Sequence, residues 1–380
     1  MRLHFLCVVF ALGLSATASA ATPAGNTNPA DTHILAALGS HQYDLGRDGR
    51  DFLLSEARSN DFFLLGELHG ENEIPALLRA LWPEMWKQGY RHIAGEVSPW
   101  AARQLEFGSA GGAEVRGLWT RQEAADVHAP AGASATVLWG CDMEEEQPEF
   151  LIRELAARNP SDPALKQMME LTKDGYNRKL APALLDLAKK TKEDADQPVN
   201  GLSLRENLLA TLEIEANRLG PDTKMTAQNE RERLMKEQFL AHYRHLSAQE
   251  ASSKVLVRFG RNHLHRGYDA RGISTLGNFI GEFAIAERRT AFNIGAFSAG
   301  GKASLLGETW DADERQDELA FALLAGNARY SATVFDLRPL RALLHQIPQE
   351  QRSALQTNLI YWADSYDALI CYKTVTPRAP

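Results

Sequence analysis

The sequence is short of most features that would classify it at a glance. It has three cysteines in 380 residues, too few for a disulfide-stapled scaffold. Past its first twenty residues it has no run of 18 apolar residues, so no membrane-spanning helix is expected. It has no basic stripe. Its 41 Lys and Arg against 49 Asp and Glu give net −8, which argues against nucleic acid as a partner and favours solubility. Several motifs are missing too. There is no G-x-S-x-G for a serine-hydrolase elbow. There is no G-x-x-x-x-G-K-[ST] for phosphate binding, no H-E-x-x-H, no C-x-x-C and no aspartate-rich calcium loop. What is present is ordinary globular composition, 44% hydrophobic and 24% charged, which excludes disordered and collagen-like classes.

The first twenty residues have the form of a signal peptide. Arg2 supplies the positive start, Phe5 to Leu14 is apolar, and Ala18-Ser19-Ala20 is a small-residue cleavage site. Export to the periplasm or beyond is therefore expected, with no membrane span in the mature chain. Cys7 lies in this leader. Cys141 and Cys371 remain, each in a strand-like run. Export permits a disulfide between them, and two buried free thiols fit as well.

Residues 21–48 read as a loose leader with one short helix near Thr32 to Leu38. Residues 49–147 and 251–380 read as two halves of one α/β domain. Their strand-length apolar runs are Asp61 to Leu65, His92 to Val97, Ala135 to Trp139, Lys254 to Phe259, Thr290 to Ile294, Ala332 to Leu337 and Ala368 to Tyr372. Most are continuous rather than alternating, as strands buried on both faces are. Helical patterns separate the first of them. Asn72 is placed to cap a helix with Pro75 in its first turn, Pro83 is placed to kink it, and Gly89 stands at its end. Residues 148–250 show no convincing strand. Pro148, the capping box Ser203-Leu204-Arg205-Glu206 and the Met225 to Leu246 pattern mark helices there. The charged run Lys189 to Asp196 reads as a solvated helix end. The expected fold is α/β: a mostly parallel central sheet flanked by helices, with a large helical insertion.

Ligands of parallel α/β sheets bind beyond the carboxyl ends of the strands. Four predicted strands end in a glycine followed closely by ionisable residues. They are Gly66-Glu67-Leu68-His69, Gly95-Glu96, Gly140-Cys141-Asp142 and Gly260-Arg261-Asn262-His263-Leu264-His265. Each has a plainer role when taken alone. Glu67 and His69 fit a polar turn, Glu96 an ion pair, Asp142 a helix cap, and His263 a satisfied structural histidine. If the four ends are neighbours, three acids and two histidines share a pocket. Such crowding demands a metal or strongly shifted pKa values. Glu67 and His69 are two residues apart, as are His263 and His265, and a His/carboxylate set suits a divalent metal.

At these residues the sequence resembles the erythromycin esterase-like group, which is related to ChaN-like and TIKI/TraB-type proteins. The resemblance rests on "LLGELHGENEIPALL", "IAGEVSPW", "LWGCDMEEE", "RERLMKEQF" at 231–239, "VRFGRNHLHRG" and "YDALICYKTVTP", in that order. It spans about residues 60 to 375. It implies a water-activating His69 supported by Glu67 and Glu96, and His263 as a second imidazole. It implies a pocket lined by Arg231, with Arg79 as the counterpart of a family arginine. Asp142, Arg261 and His265 complete the expected substrate-binding set. Esterase members place three steps between the motif's Glu and His, whereas Glu67 and His69 are two apart, as in the ChaN- and TIKI-like relatives. The expected function is an exported hydrolase that cleaves an ester or amide of a small-molecule substrate. Two alternatives come with the resemblance. One is a haem- or iron-binding uptake protein. The other is a divalent-metal-dependent protease with Glu67, His69 and His263 as ligands.

Overall fold

The computed structural model describes residues 29–108, 117–127, 136–144, 148–192, 202–247 and 254–378. The proposed signal peptide, and residues 193–196 of the charged run, lie outside these. Nine strands are present among the described residues: β1 (Gln42–Asp44), β2 (Phe62–Glu67), β3 (Tyr90–Gly95), β4 (Leu138–Gly140), β5 (Lys254–Gly260), β6 (Ala291–Leu305), β7 (Glu308–Asp313), β8 (Ala332–Asp336) and β9 (Ala368–Tyr372). Their order across the sheet is β1-β8-β9-β6-β2-β5-β3-β4, with β7 folded back on the extension of β6. The pairs from β9 to β4 are parallel, and β8 pairs antiparallel with both β9 and β1. The α/β class and mostly parallel sheet expected from continuous apolar runs are therefore observed.

The strands are apolar on both sides because helices cover both. In β2, Phe62 and Leu64 join one core with Val255, Val257 and Phe259 of β5. Phe63 and Leu65 join the other with Leu256 and Ile294. The alternation is strict, as pleating requires. It decides where the polar residues go. Glu67 continues the Phe63, Leu65 side. Arg258, aligned with Leu65 in the β2–β5 register, follows Leu256 onto that same side.

The leader is more ordered than its composition suggests. A Pro29–Ser40 helix packs Ile34 and Leu38 into the sheet's core, and β1 adds an edge strand. The 148–250 segment is helical where described: Pro148–Arg158, Pro163–Leu171, Ala181–Ala188, Leu204–Asn217 and Lys224–Ser247. The first four share a core of their own. The last sends Met235, Phe239 and Tyr243 into the core of the main sheet. It is as much the return crossover to β5 as part of an insertion. The Ser203–Glu206 capping box forms as the sequence predicts. Asn72 does not cap. It occupies the N-cap position of the Glu73–Lys87 helix, but its side chain donates to Thr376 Oγ1 and Pro377 O instead. Pro83 lies inside that helix, which runs unbroken through it. Cys141 and Cys371 are buried free thiols.

Candidate active site

The four glycine-bearing strand ends are neighbours. β2, β5, β3 and β4 stand side by side in that order, all parallel, so their carboxyl ends open on one edge. Glu67, Glu96, Asp142 and His263 are all less than 9% exposed there. The His69 side chain is about one-third exposed, which makes it the accessible group of the cluster.

His69 stands between two carboxylates. Its Nδ1 is 3.6 Å from Glu67 Oε1 and its Nε2 is 3.9 Å from Glu96 Oε2. Both gaps exceed a hydrogen bond. A water about 2.8 Å from both His69 Nε2 and Glu96 Oε2 is compatible with the wider one. Glycine is needed to seat the ring. A Cβ on Gly260 would lie 2.7 Å from His69 Nε2. Gly70 has φ +83°, and a Cβ there would lie 2.8 Å from Ser304 O. That close approach is where Ser304 N donates to Gly70 O. The β6–β7 hairpin therefore holds the loop that carries His69.

Glu96 is the hub. Its Oε2 accepts from Gly260 N at 2.7 Å, and its Oε1 accepts from Arg231 Nη2 at 2.9 Å. His263 Nε2 lies 3.5 Å from the same Oε1. Arg231 also donates through Nε and Nη2 to both oxygens of Asp142. It thus bridges the ends of β3 and β4 from the Lys224–Ser247 helix. The next residue on that helix, Glu232, meets His263 Nδ1 at 2.6 Å and accepts from Leu276 N with its other oxygen. On the opposite face of the sheet, Glu67 accepts from Arg258 Nε, and Arg258 reaches Glu123 at 3.2 Å.

These contacts set the charges. Burial pushes the Glu96 carboxyl up, but His263, His69, Arg231 and the Gly260 N–H outweigh it and hold the carboxyl far below the usual range. Glu67 is likewise lowered: burial opposes, and Arg258 and His69 prevail. Burial pulls His69 down, but the carboxylates of Glu67, Glu96 and Glu71 lift it to about 9. His263 is raised by Glu96 and Glu232 against its burial. Glu71 is the exception. Burial, then the Glu67 charge, push it up to about 8, and its Oε2 has no hydrogen-bond partner among the described residues. At neutral pH the resting site therefore holds His69 protonated and Glu67 and Glu96 ionised.

Three expected members lie elsewhere. Arg79 is 60% exposed and pairs with Asp126 on the outer helix layer, so it does not reach the pocket. Arg261 turns to the far side of β2. There its guanidinium lies over Phe321 and Trp362 and pairs with Glu314. His265 is a core histidine, 1% exposed, bonded to Ser365 Oγ and packed among Tyr361, Trp362 and Tyr366. Burial, then Arg261, lower its pKa to about 3. The alternation visible in His263-Leu264-His265 does not persist, because Arg261–His263 is a turn of 3-10 helix.

Sequence reasoning missed Glu232, Arg258, Glu123 and Glu71. Arg258 had a signal: it is the one charged residue inside the apolar run Val255 to Phe259. Glu232 had none, since one helical charge among many looks solvated.

The expected three-residue metal set does not form. Among the described residues no group of three His, Cys, Asp or Glu side chains is arranged to hold a metal ion. Glu67 Oε2 is engaged by Arg258, and the two Glu96 oxygens by Arg231 and Gly260 N, while Glu67 Oε1 faces His69 Nδ1 at 3.6 Å. A separate concavity of about 540 Å³ lies near Asp313, Arg315 and Lys373, away from this cluster.

Solved structures share this architecture. A Bacillus cereus protein aligns with TM-score 0.57 at 14% identity, over 91% of this chain and 98% of its own. A succinoglycan biosynthesis protein aligns with TM-score 0.58 at 14% identity, over 93% and 99%. A histidine-to-asparagine mutant of the erythromycin esterase EreC, in its open conformation, aligns with TM-score 0.55 at 13% identity, over 91% and 97%. The chain has the erythromycin esterase-like fold. No protein-family model and no curated protein matches the sequence.

Proposed function

We propose that the chain is an exported hydrolase of the erythromycin esterase-like group, cleaving an ester or amide bond of a small molecule with water activated by His69. One observation carries this reading. The single accessible imidazole of a buried ionic cluster lies between two carboxylates, and one of the two gaps is wide enough to share a water. Neutral His69 takes a proton from that water at Nε2 as its oxygen attacks the carbonyl carbon. Glu67 and Glu96 stabilise the imidazolium that forms. The imidazolium then returns the proton to the departing alcohol or amine. We assign stabilisation of the developing oxyanion to Arg231 and His263, which both meet Glu96.

The ion pair of Glu67 Oε2 and the bonds to both Glu96 oxygens support a general-base reading over a metal one. The test is a panel of ester and peptide substrates, assayed with and without chelator, using wild type and His69→Ala. Chelator-insensitive turnover that His69→Ala abolishes is expected. Turnover unchanged in His69→Ala would sink the role of His69. A Soret band on haem titration together with no hydrolysis would favour the uptake protein.

A further inference from the structure

Residues 376–378 run along the loop that carries His69. Asn72 N donates to Thr376 O at 3.1 Å and Arg378 N donates to Gly70 O at 2.8 Å. Glu71 and Pro377 form an isolated antiparallel bridge. The Arg378 side chain turns inward and is 10% exposed. It donates to Leu118 O at 2.8 Å and to Glu123 Oε1.

From Glu123 the contacts continue to His69. Glu123 Oε2 accepts from Arg258 at 3.2 Å, Arg258 Nε donates to Glu67 Oε2, and Glu67 Oε1 faces His69 Nδ1. Five groups thus alternate in sign, from Arg378 through Glu123, Arg258 and Glu67 to His69. The middle three are less than a tenth exposed, and the Trp119 ring covers the Arg258 guanidinium at 4.3 Å. In such surroundings salt screens poorly and each charge is felt by the next.

We propose that Arg378 is a positioning residue for His69, and that this tail arginine sets the imidazole's charge and place through Glu123, Arg258 and Glu67. Arg258 is shared between two carboxylates. While Arg378 neutralises Glu123, Arg258 serves Glu67. Without Arg378, Arg258 turns towards Glu123, and Glu67 pulls harder on the His69 proton. The titratable groups facing His69 are Glu67 from its own strand, Glu71 from its own loop, which folding keeps protonated up to about 8, and Glu96 from β3. Arg258 stands behind Glu67, and Arg231 and His263 stand behind Glu96. Of these side-chain arms, the Glu67 one leads to the Arg378 guanidinium.

The inference rests on the proposed role of His69, but its test needs no substrate. The His69 imidazole signal, assigned by its loss in His69→Ala, is titrated by NMR in the full chain. Arg378→Gln is expected to raise the midpoint by about half a pH unit and Glu123→Gln to lower it by a similar amount. Arg378→Lys, which keeps the charge, is expected to stay near wild type. Opposite shifts are what separates charge transmission from a merely structural tail. Shifts of the same sign, or no shift in either variant, would overturn the proposal. If Arg378→Gln does not fold, Glu123→Gln alone decides: a lowered midpoint supports transmission and an unchanged one refutes it. A chain that hydrolyses nothing on the panel, yet shows the opposite shifts, refutes the hydrolase reading and keeps this one.

Discussion

Arg231 holds Asp142 with two N–H groups, Nε to Oδ1 at 3.0 Å and Nη2 to Oδ2. The two residues lie 89 positions apart, one on the long helix and the other at the end of β4. The same Nη2 reaches Glu96, so one planar fork joins two strand ends. Removing it leaves two buried carboxylates facing each other. Arg231→Gln is expected to destabilise the fold by about 3 kcal/mol, read as a lower midpoint in urea. Arg231→Lys, a point charge without the fork, is expected to recover only part of it.

Glycine substitution separates the site from its scaffold. Gly260→Ala places a methyl 2.7 Å from His69 Nε2 and 3.1 Å from Glu96 Oε2. Those are side-chain ends, and the partly exposed His69 ring can yield. The expected result is a nearly unchanged melting temperature with turnover reduced at least about tenfold. Gly70→Ala meets Ser304 backbone at 2.8 Å with φ at +83°. It is expected to cost about 1–3 kcal/mol in stability. A large stability loss in Gly260→Ala would contradict the placement of His69.

Stability should fall on both sides of a mildly acidic optimum. Glu67 and Glu96 titrate below the ordinary carboxylate value when folded. Their contribution is present above about 4.5 and is lost as pH falls below it. His69 titrates higher when folded. Its contribution is full below 6.5 and is lost as pH rises towards about 9. Glu71 acts in the same direction. Folding holds its proton up to about 8, while the unfolded chain releases it near 4.5, so stability drains as pH rises between those values. Glu71→Gln keeps the shape and removes the titration. It is expected to stabilise the protein at pH 8 by about 1–3 kcal/mol and to leave it unchanged at pH 4. Calorimetry of the two proteins across pH 4–9 checks this.

Much of the architecture was legible because it follows from burial. Continuous apolar runs marked β2, β3, β5 and β9, since both faces of those strands are covered. The polar hairpin strand β7, with the sequence ETWDAD, and the three-residue β1 carried no such pattern. Both pair antiparallel at the margins. The site was legible as a repetition, glycine then acid or histidine at four strand ends. What could not be read was which side chain points where. Arg261 and His265 share the loop of His263, yet a 3-10 turn sends them to the far side of β2 and into the core. Asn72 looked like a cap, but Thr376 and Pro377, some 300 residues away, take its side chain. Glu232 and Arg378 become part of the cluster only once the chain is folded.

The account turns on His69 as the base that activates water, and the pH dependence of kcat/KM tests it most directly. With the best substrate of the panel, kcat/KM of the wild type is expected to rise through the neutral range with an apparent pKa near 9, the value at which His69 loses its proton. His69→Ala should lack that limb. A profile that is flat or falling between pH 6 and 9, or one that survives in His69→Ala, would contradict the assignment.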